Sequence, residues 1–413
     1  MRTARVWRRV LGVEQSTIIE RIEFDEDADV VIAHVRPTAK ARDRCGRCGE
    51  LGPRYDNGDG RRRWRAADLG SIKTFLEADA SRVSCPEHGV TVIGVPWARH
   101  SSRFTRHFED TTTWLAAQAS GSAVAQLMRV TWRTVLTILM RVVAETAGGS
   151  DRLDGLRRIA IDEVAYRKGH RYLTVVVDHD TGRMVWAAKG RDKATLEAFF
   201  DALGPVRSKK IRLISADAAD WIATVVADRA SNATLCMDPF HVVAWATRAL
   251  DQVRRALVSE LHRQGRPEDA KALKGTRWAL LKNPQRLTGA QRTTLAEIKT
   301  ANDPLFTGYL LKEQLRAVFA ERGERGRLLL AGWLSWCASS GLPAFQKVAT
   351  SVRDHLEAIH ASLEHGLSNA RAEANNTTLR MITRRAYGFH SPEPLIALGM
   401  LKRGGLCPPL PGR

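Results

Sequence analysis

The 413-residue sequence contains no apolar run that approaches the roughly 20 residues a helix needs to cross a bilayer. Its opening stretch, MRTARVWRRVLGV, carries arginines where a secretory signal requires an uninterrupted apolar core. Internal repeats and low-complexity tracts are also absent. These absences exclude the membrane-spanning, secreted and repeat classes. We therefore expect a globular cytoplasmic protein that does not bind membranes.

Cysteine is scarce as well, since six in a chain of this length are too few for a disulfide scaffold. Three of them stand alone and are expected to be core or tail residues. The other three fall in two short chelating segments, CGRC with Cys45 and Cys48, and CPEH with Cys85 and His88. Tetrahedral zinc takes four nitrogen or sulfur ligands, and a CxxC turn lets two thiolates bind one ion. The sequence therefore predicts structural Zn²⁺ in a ribbon-like module.

Acidic residues are fewer than basic ones. The chain has 45 Asp and Glu and 64 Lys and Arg, so its net charge is +19. Such an excess favours a polyanionic partner, most often nucleic acid. A basic composition with no nucleic-acid role is the alternative. The 44% apolar content is ample for the cores of about two to four domains, which is what this length implies.

The segment SAVAQLMRVTWRTVLTILMRV is typical of a helix-turn-helix. Ser122 is predicted to start a short helix, RVT to turn, and Thr131 to cap a second helix. The exposed residues Trp132 and Arg133, together with Arg129 and Thr131 at the turn, are the predicted DNA contacts. A plain helical hairpin would show the same spacing and is the alternative.

A β-hairpin is predicted at STIIERIEFDEDADVVIAHVRP, where apolar and polar residues alternate around an acidic turn. After the linker TAGGSD, the pattern predicts three strands, a helix, a strand, a helix, a strand and a helix. DHDTGR should join two of these strands as a hairpin, whereas strands separated by helices should run parallel. Residues 246–356 show an almost purely helical pattern, and one more helix, ended by Gly388, is predicted at SNARAEANNTTLRMITRRAYG.

Carboxylates stand where ligands gather in open α/β sheets, outside the carboxyl ends of strands. Asp162 is predicted at the end of the first strand of the mixed sheet and Asp217 at the end of the fourth. If Glu373 returns on the last helix, three carboxylates converge and could hold two Mg²⁺ ions about 3.5–4 Å apart beside a phosphodiester. Glu163 competes with Asp162 as a ligand, although strand alternation points the two to opposite faces. Asp220 competes with Asp217 but suits a helix N-cap better.

Further residues are candidates for supporting roles. Asp238 could be a fourth carboxylate near the metals or a turn residue before a proline, and His241 suits a structural role better than that of an acid or base. Asn376 is a candidate to contact the metal ligands rather than the metals.

A basic run follows Glu373 on the predicted last helix. Arg380, Arg384 and Arg385 could grip the DNA backbone from one side of that helix, with a solvated basic face as the alternative. Tyr387 is expected to pack at the end of the helix rather than to stack on bases.

Four segments carry a family resemblance: IDEVAYRKGHRYLTVVVDHDTGRMVWAAKGR, SADAADW, DPFHVV and SNARAEANNTTLRMITRRAYGF. They resemble the DDE transposases of the ISL3 insertion-sequence family, and the zinc motif and helix-turn-helix precede them in the family's order. The resemblance covers residues 8–402. It implies that Asp162, Asp217 and Glu373 are the first, second and third catalytic acids. Ala374 stands where the family often has glycine.

The resemblance also implies a fold and an activity. The expected fold is multidomain α+β and α/β, with an RNase H-like core interrupted by a helical insertion. The expected parts are a hairpin and zinc module at 1–100, a helix-turn-helix domain at 101–150, the first part of the catalytic core at 151–245, the insertion at 246–356, and the second part of the core with the Glu helix and a tail at 357–413.

The expected activity is binding to the element's terminal inverted repeats, Mg²⁺- or Mn²⁺-dependent cleavage of its ends, and attack of the freed 3′-hydroxyl on double-stranded target DNA. A homodimer or larger assembly should hold the two ends, associated with the nucleoid when bound. The alternatives are a non-catalytic zinc and helix-turn-helix regulator and a nuclease of the same fold without strand transfer.

Overall fold

The computed structural model describes residues 2–149 and 151–411. The chain divides into two compact units, which we call the N-terminal unit (Met1–Asp151 with Ile382–Arg413) and the core unit (Arg152–Met381). Within the described ranges, no helix combines the length and apolar character needed to span a membrane. The five-part division expected from the sequence stays a prediction.

The N-terminal unit begins with a helix and two small sheets. Its elements are α1 (Arg2–Leu11), β1 (Thr17–Asp25), β2 (Val30–Pro37), β3 (Arg54–Asp56), β4 (Arg61–Arg65), β5 (Lys73–Asp79), β6 (Arg82–Cys85) and β7 (Gly89–Val92). One sheet has the order β1-β2-β5-β4 and the other β3-β6-β7. β1 and β2 pair antiparallel, which confirms the predicted hairpin. Trp64 and Trp97 meet edge to face in the core of the first sheet, with ring centroids 5.5 Å apart.

Three helices follow, α2 (Arg106–Gln118), α3 (Gly121–Leu127) and α4 (Trp132–Gly148). The predicted helix start at Ser122 is wrong, because the Ser120 hydroxyl accepts the backbone N–H of Ala123 at 3.3 Å and the helix begins at Gly121. The predicted cap at Thr131 is confirmed, since its hydroxyl accepts the N–H of Thr134 at 3.2 Å. α3 and α4 thus form the predicted pair of helices around a short turn.

The core unit begins with a mixed sheet of the kind predicted. Its elements are β8 (Arg158–Arg167), β9 (Arg171–Asp178), β10 (Met184–Lys189), α5 (Lys193–Leu203), α6 (Pro205–Ser208), β11 (Leu213–Ala216), α7 (Asp220–Arg229), β12 (Thr234–Met237) and α8 (Pro239–Arg263). The strand order is β10-β9-β8-β11-β12. The first three strands run antiparallel, and β11 is parallel to both β8 and β12. This RNase H-like sheet packs on a core that includes Phe199 and Phe200.

Two details near the acids differ from the sequence prediction. Asp162 does not end its strand, because β8 pairs with β9 as far as Arg167, while its parallel pairing with β11 stops at Ala160. Asp220 is not the N-cap of α7. Ala219 holds that position, and the carboxylate of Asp217 accepts the N–H of Ala219 at 3.3 Å.

The remaining elements are helical, which confirms the predicted pattern. They are α9 (Pro267–Gly275), α10 (Arg277–Leu281), a 3-10 turn at Pro284–Arg286, α11 (Gly289–Ala301), α12 (Asp303–Val318), α13 (Gly323–Ser339), α14 (Pro343–Asp354), α15 (Leu356–His365), α16 (Ala370–Arg385) and α17 (Glu393–Arg403). Trp333 and Phe345 are fully buried in the core of this bundle. The Trp333 indole N–H donates to the carbonyl of Leu311 at 2.8 Å.

The end of α16 is set by local backbone geometry. The N–H of Gly388, which has φ +101°, donates to the carbonyl of Thr383 at 2.9 Å, as predicted for a terminating glycine. The prediction that Tyr387 packs at this end is wrong, because its side chain is 100% exposed. The sequence pattern did not predict α17, which contacts α4 and α2 within the N-terminal unit.

Candidate functional sites

The two chelating segments of the N-terminal unit come together in one cluster. The ligand atoms of Cys45, Cys48, Cys85 and His88 all lie within 4.8 Å of one another. The Sγ atoms of Cys48 and Cys85 are 3.6 Å apart, and the Nδ1 atom of His88 is 3.7 Å from Sγ of Cys85 and 3.9 Å from Sγ of Cys45. A tetrahedron built on zinc–sulfur bonds of about 2.3 Å has edges of roughly 3.8 Å. The cluster therefore fits Zn²⁺ and supports structural zinc.

Cys45 is prepared to act as a thiolate. Its thiol is buried, which raises its pKa, but hydrogen bonds from the backbone N–H groups of Cys48 and Arg47 outweigh this effect and lower the pKa to about 7. The N–H of Arg47 donates to Sγ of Cys45 at 3.4 Å. Turns of this kind stabilise the charged form that binds the metal.

In the core unit, acidic residues gather at one edge of the mixed sheet. Asp217 directly follows β11 and Asp238 directly follows β12, while Asp162 lies on β8 just beyond its last pair with β11. His241, in the first turn of α8, has Nε2 at 3.7 Å from the Asp217 carboxylate and Nδ1 at 3.9 Å from that of Asp238. The neighbouring Asp238 carboxylate raises the pKa of His241, burial opposes this rise, and the charges of Asp217 and Asp162 add to it.

The electrostatics of this edge disfavour full ionisation. Burial raises the pKa of the Asp162 carboxyl to about 6, and the negative charges of Asp217 and Asp238 contribute to the rise. Burial also raises the pKa of Glu163 to about 7, and the charge of Asp217 is the next largest cause. The charge of Asp217 therefore raises the pKa of both Asp162 and Glu163, although strand alternation predicts that these two side chains lie on opposite faces of the sheet.

Helix α16 contributes an amide to this cluster. The Nδ2 group of Asn376 donates to a carboxylate oxygen of Asp162 at 2.9 Å and to the carbonyl of Glu163 at 3.4 Å. Glu373 lies one turn earlier on α16 and is exposed. Within the described ranges, the Cys45 cluster is the one group of three or more His, Cys, Asp or Glu side chains with ligand atoms within 4.8 Å of one another. Asp162, Asp217 and Glu373 are thus not at metal-sharing distance in this structure.

A buried polar network supports the same edge and was not predicted. The Asn369 side chain donates to the carbonyl of Ile161 at 3.0 Å, and its backbone N–H donates to the Asp238 carboxylate at 3.0 Å. Ser215 donates to the Asn369 amide oxygen and lies 2.7 Å from Nε2 of His179. Asn369 belongs to the SNARAEANN segment, so its amide could have been considered as a partner for the sheet.

Arg191 is a second residue that the sequence reasoning missed. Its guanidinium pairs with the Glu163 carboxylate at 2.9 Å and lies 5.1 Å from the ring centroid of Tyr172. It follows β10 on the same sheet, in the GRDK segment. A cation is therefore ordered beside the candidate carboxylates.

The predicted DNA contacts fall into two groups. Trp132 is 54% exposed at the start of α4, and the exposed Arg133 lies over its ring at 5.7 Å. Arg129 instead binds the carboxylate of Asp68 at 3.1 Å and the carbonyl of Ser71 at 2.7 Å. Arg385 donates to the carbonyl of Gln118 at 2.7 Å and thereby caps the end of α2. Arg380 and Arg384 are exposed.

Sequence comparison matches three successive parts of the chain to families. Residues 159–398 match the profile of the ISL3 DDE domain, described as a transposase. Residues 41–88 match the zinc finger of transposases IS204, IS1001, IS1096 and IS1165. Residues 95–143 match the helix-turn-helix domain of transposase family ISL3.

Relatives are similar over nearly the whole chain. The transposase for insertion sequence element IS1557 of Mycobacterium tuberculosis is 50% identical over 436 residues, which cover 100% of this chain and 98% of that protein. The transposase for insertion sequence element IS1001 of Bordetella parapertussis is 30% identical over 387 residues, with coverage of 93% and 94%.

Proposed function

Because the chain belongs to the ISL3 family of transposases, we propose that it binds the terminal inverted repeats of its insertion sequence, cleaves the element's ends and joins the freed 3′-hydroxyl to target DNA. Transposases of the DDE family cleave and join DNA. No nucleotide cofactor is required, since each strand transfer replaces one phosphodiester with another. Two ends meet one target, so a homodimer or larger assembly forms on DNA.

The N-terminal unit recognises the DNA in this proposal. Trp132 and Arg133 are exposed at the start of α4, which is where the second helix of a helix-turn-helix contacts base edges. Arg129 is bonded to Asp68 and Arg385 to the carbonyl of Gln118, so both side chains stabilise the domain. Arg129 also adds positive charge near the turn. Exposed Arg384 contacts phosphates.

The arrangement around Asp162 is the observation that carries the catalytic part of the proposal. Buried carboxylates that repel one another, together with an amide donor, form an oxygen-rich set of the kind that hard divalent cations bind. Buried oxygens of Glu163 and Asn376 have no hydrogen-bond partner within the described structure. Asp162 and Asp217 would hold Mg²⁺ or Mn²⁺ at this edge, and Glu373 would join them only when DNA is bound, because the three acids are not at metal-sharing distance in this structure. When bound, such ions activate the attacking oxygen and stabilise the leaving oxygen.

The protein's own groups orient these ligands. Asn376 fixes one oxygen of Asp162, and the His241 ring lies between the carboxylates of Asp217 and Asp238. Asn369 ties the segment before α16 to the carboxylate of Asp238. Glu373 is exposed on α16, one turn before Asn376, and would complete the set when DNA is bound.

The test is Mg²⁺-dependent cleavage of a labelled duplex that carries the element's end. Asp162→Asn and Glu373→Gln should abolish cleavage while binding to the duplex persists. Asp220→Asn is the matched control, because this exposed aspartate opens α7 and should cleave normally when substituted. Wild-type cleavage by either of the first two variants would show that the acids are wrongly assigned.

The same assay separates the alternative functions. A regulator would bind the end without cutting it, and a nuclease would cut without forming the joined product with target DNA. Inverted repeats in the DNA that flanks the gene would independently favour transposition.

A further inference from the structure

We propose that a cavity in the N-terminal unit, between the zinc ribbon and helices α2 and α4, binds the phosphodiester backbone of the transposon-end duplex. The inference rests on the proposed DNA binding and assigns a further surface to it. The cavity has a volume of about 560 Å³. It is lined by the CGRC turn, which we call the ribbon wall, by residues 94–96, 98 and 100, and by Arg99, Arg106, Arg141 and Glu145, which we call the helical side.

The lining of the cavity is strongly cationic. One carboxylate, that of Glu145, lines it together with five arginines, which are Arg44, Arg47, Arg99, Arg106 and Arg141. The arginines of the helical side are paired with acids. Arg106 lies 2.8 Å from Glu145, Arg99 lies 2.7 Å from Asp110, and Arg141 pairs with the fully buried Glu109. This wall is ordered and close to neutral.

The ribbon wall supplies positive charge that no acid balances. The Arg44 guanidinium donates to the carbonyl of Lys40 at 3.1 Å and to that of Gly49 at 3.0 Å. Carbonyls are neutral acceptors, so they order the side chain and leave its charge intact. Arg47 is exposed within the CxxC turn. In the part of the chain that the structure describes, neither guanidinium forms an ion pair with a carboxylate. An ordered, uncompensated guanidinium suits a phosphate oxygen.

At Gly46 the CGRC turn packs closely against its neighbours. A Cβ atom at Gly46 would lie 2.5 Å from Nδ1 of His100 and 2.6 Å from the carbonyl oxygen of Val92. Glycine therefore lets the imidazole approach the turn. Burial lowers the pKa of His100, and the positive charges of Arg47 and Arg62 lower it further, as expected where cations are in excess.

The position of the cavity favours duplex DNA over a small phosphate. Arg141 lies on α4 eight residues after Arg133, which at 1.5 Å per residue corresponds to about 12 Å along the helix. The major groove is about 12 Å wide. The cavity therefore lies close enough to Trp132 and Arg133 for one duplex to contact both.

The test measures equilibrium binding of the full, zinc-loaded chain to a labelled end duplex over a range of salt concentrations, without Mg²⁺. Arg44→Gln/Arg47→Gln should weaken binding to end and random duplexes alike and reduce the slope of log K against log salt by about 2. Arg36→Gln/Arg42→Gln is the matched control. It removes the same charge from exposed arginines that pair with Glu20 and Asp43, and its slope should match the wild type.

Each other outcome has a defined meaning. If the wild type does not bind the duplex, the proposed function fails. If the wild type binds and both double variants share its slope, the cavity assignment alone fails. Loss of zinc from the Arg44→Gln/Arg47→Gln variant, with normal affinity once zinc is restored, would show that the arginines only balance the thiolates. Calorimetric binding of pyrophosphate that this variant loses, with an unchanged salt slope, would assign the cavity to small phosphates instead.

Discussion

Replacing Asn376 by alanine should raise the Mg²⁺ concentration needed for cleavage without unfolding the protein. The Asn376 amide donates to Asp162 at 2.9 Å, and its side chain is 1% exposed. A hydrogen bond to a charged group contributes roughly 1.5–3 kcal/mol. At 1.36 kcal/mol per decade, its loss corresponds to about a 10- to 100-fold higher Mg²⁺ midpoint, which is also the range typical of partners of metal ligands.

The neighbouring residue provides a matched control. Asn375 is an asparagine on the same helix and is equally buried, but its amide donates to the backbone carbonyls of Gly182 and Arg371. Asn375→Ala should therefore lower the free energy of unfolding and leave the Mg²⁺ midpoint of cleavage near the wild-type value. Asn376→Ala should raise the Mg²⁺ midpoint instead.

The assay is a Mg²⁺ titration of single-turnover cleavage at pH 8, with urea unfolding of each variant in parallel. At this pH the Asp162 carboxyl, with a pKa of about 6, stays ionised in the wild type, so its protonation does not mimic a weaker metal site. Equal Mg²⁺ midpoints for wild type and Asn376→Ala would refute the role of this amide. Equal shifts in both alanine variants would show that α16 acts through general packing instead.

Three further outcomes are expected. Without Mg²⁺, protonation of Asp162 should stabilise the protein by up to about 3 kcal/mol at low pH, and this contribution should be lost as pH rises from about 4 to about 7, because its pKa is raised to about 6 from an ordinary 3.8. In urea titrations Asp162→Asn should remove this contribution and leave the one from Glu163, whose pKa is raised to about 7. Cys85→Ser should reduce bound zinc, measured by metal analysis, and weaken end binding. Arg99→Met should destabilise the protein by roughly 1.5–3 kcal/mol in urea unfolding, because it removes one of the two guanidinium partners of the fully buried Glu109 and leaves Arg141 in place.

The sequence predicts well those features that depend on the spacing of neighbouring residues. Alternation marked the hairpin of β1 and β2, and the helices between β10, β11 and β12 indicated parallel strands. The CGRC and CPEH segments each place two ligands within four residues, and these two short motifs were sufficient to predict one cluster. Thr131 could be assigned as a cap because the bond it accepts lies three residues away.

The features that sequence did not predict depend on distant partners. β8 continues past Asp162 because β9 supplies hydrogen bonds as far as Arg167, and no local signal distinguishes a strand end from this continuation. Asn369 contacts the carbonyl of Ile161 across 208 positions. Arg385 resembled a phosphate contact, yet it caps the end of α2, and composition alone cannot distinguish a guanidinium that binds protein carbonyls from one that is free.

The bond between Asn376 and Asp162 joins residues 214 positions apart. During synthesis at about 5–20 residues per second, roughly 10–40 s separate the appearance of these two side chains. A nascent chain on the ribosome therefore contains Asp162 long before it contains α16, the helix that orients this side chain. A polypeptide interrupted before α16 therefore lacks the hydrogen bond that orients Asp162.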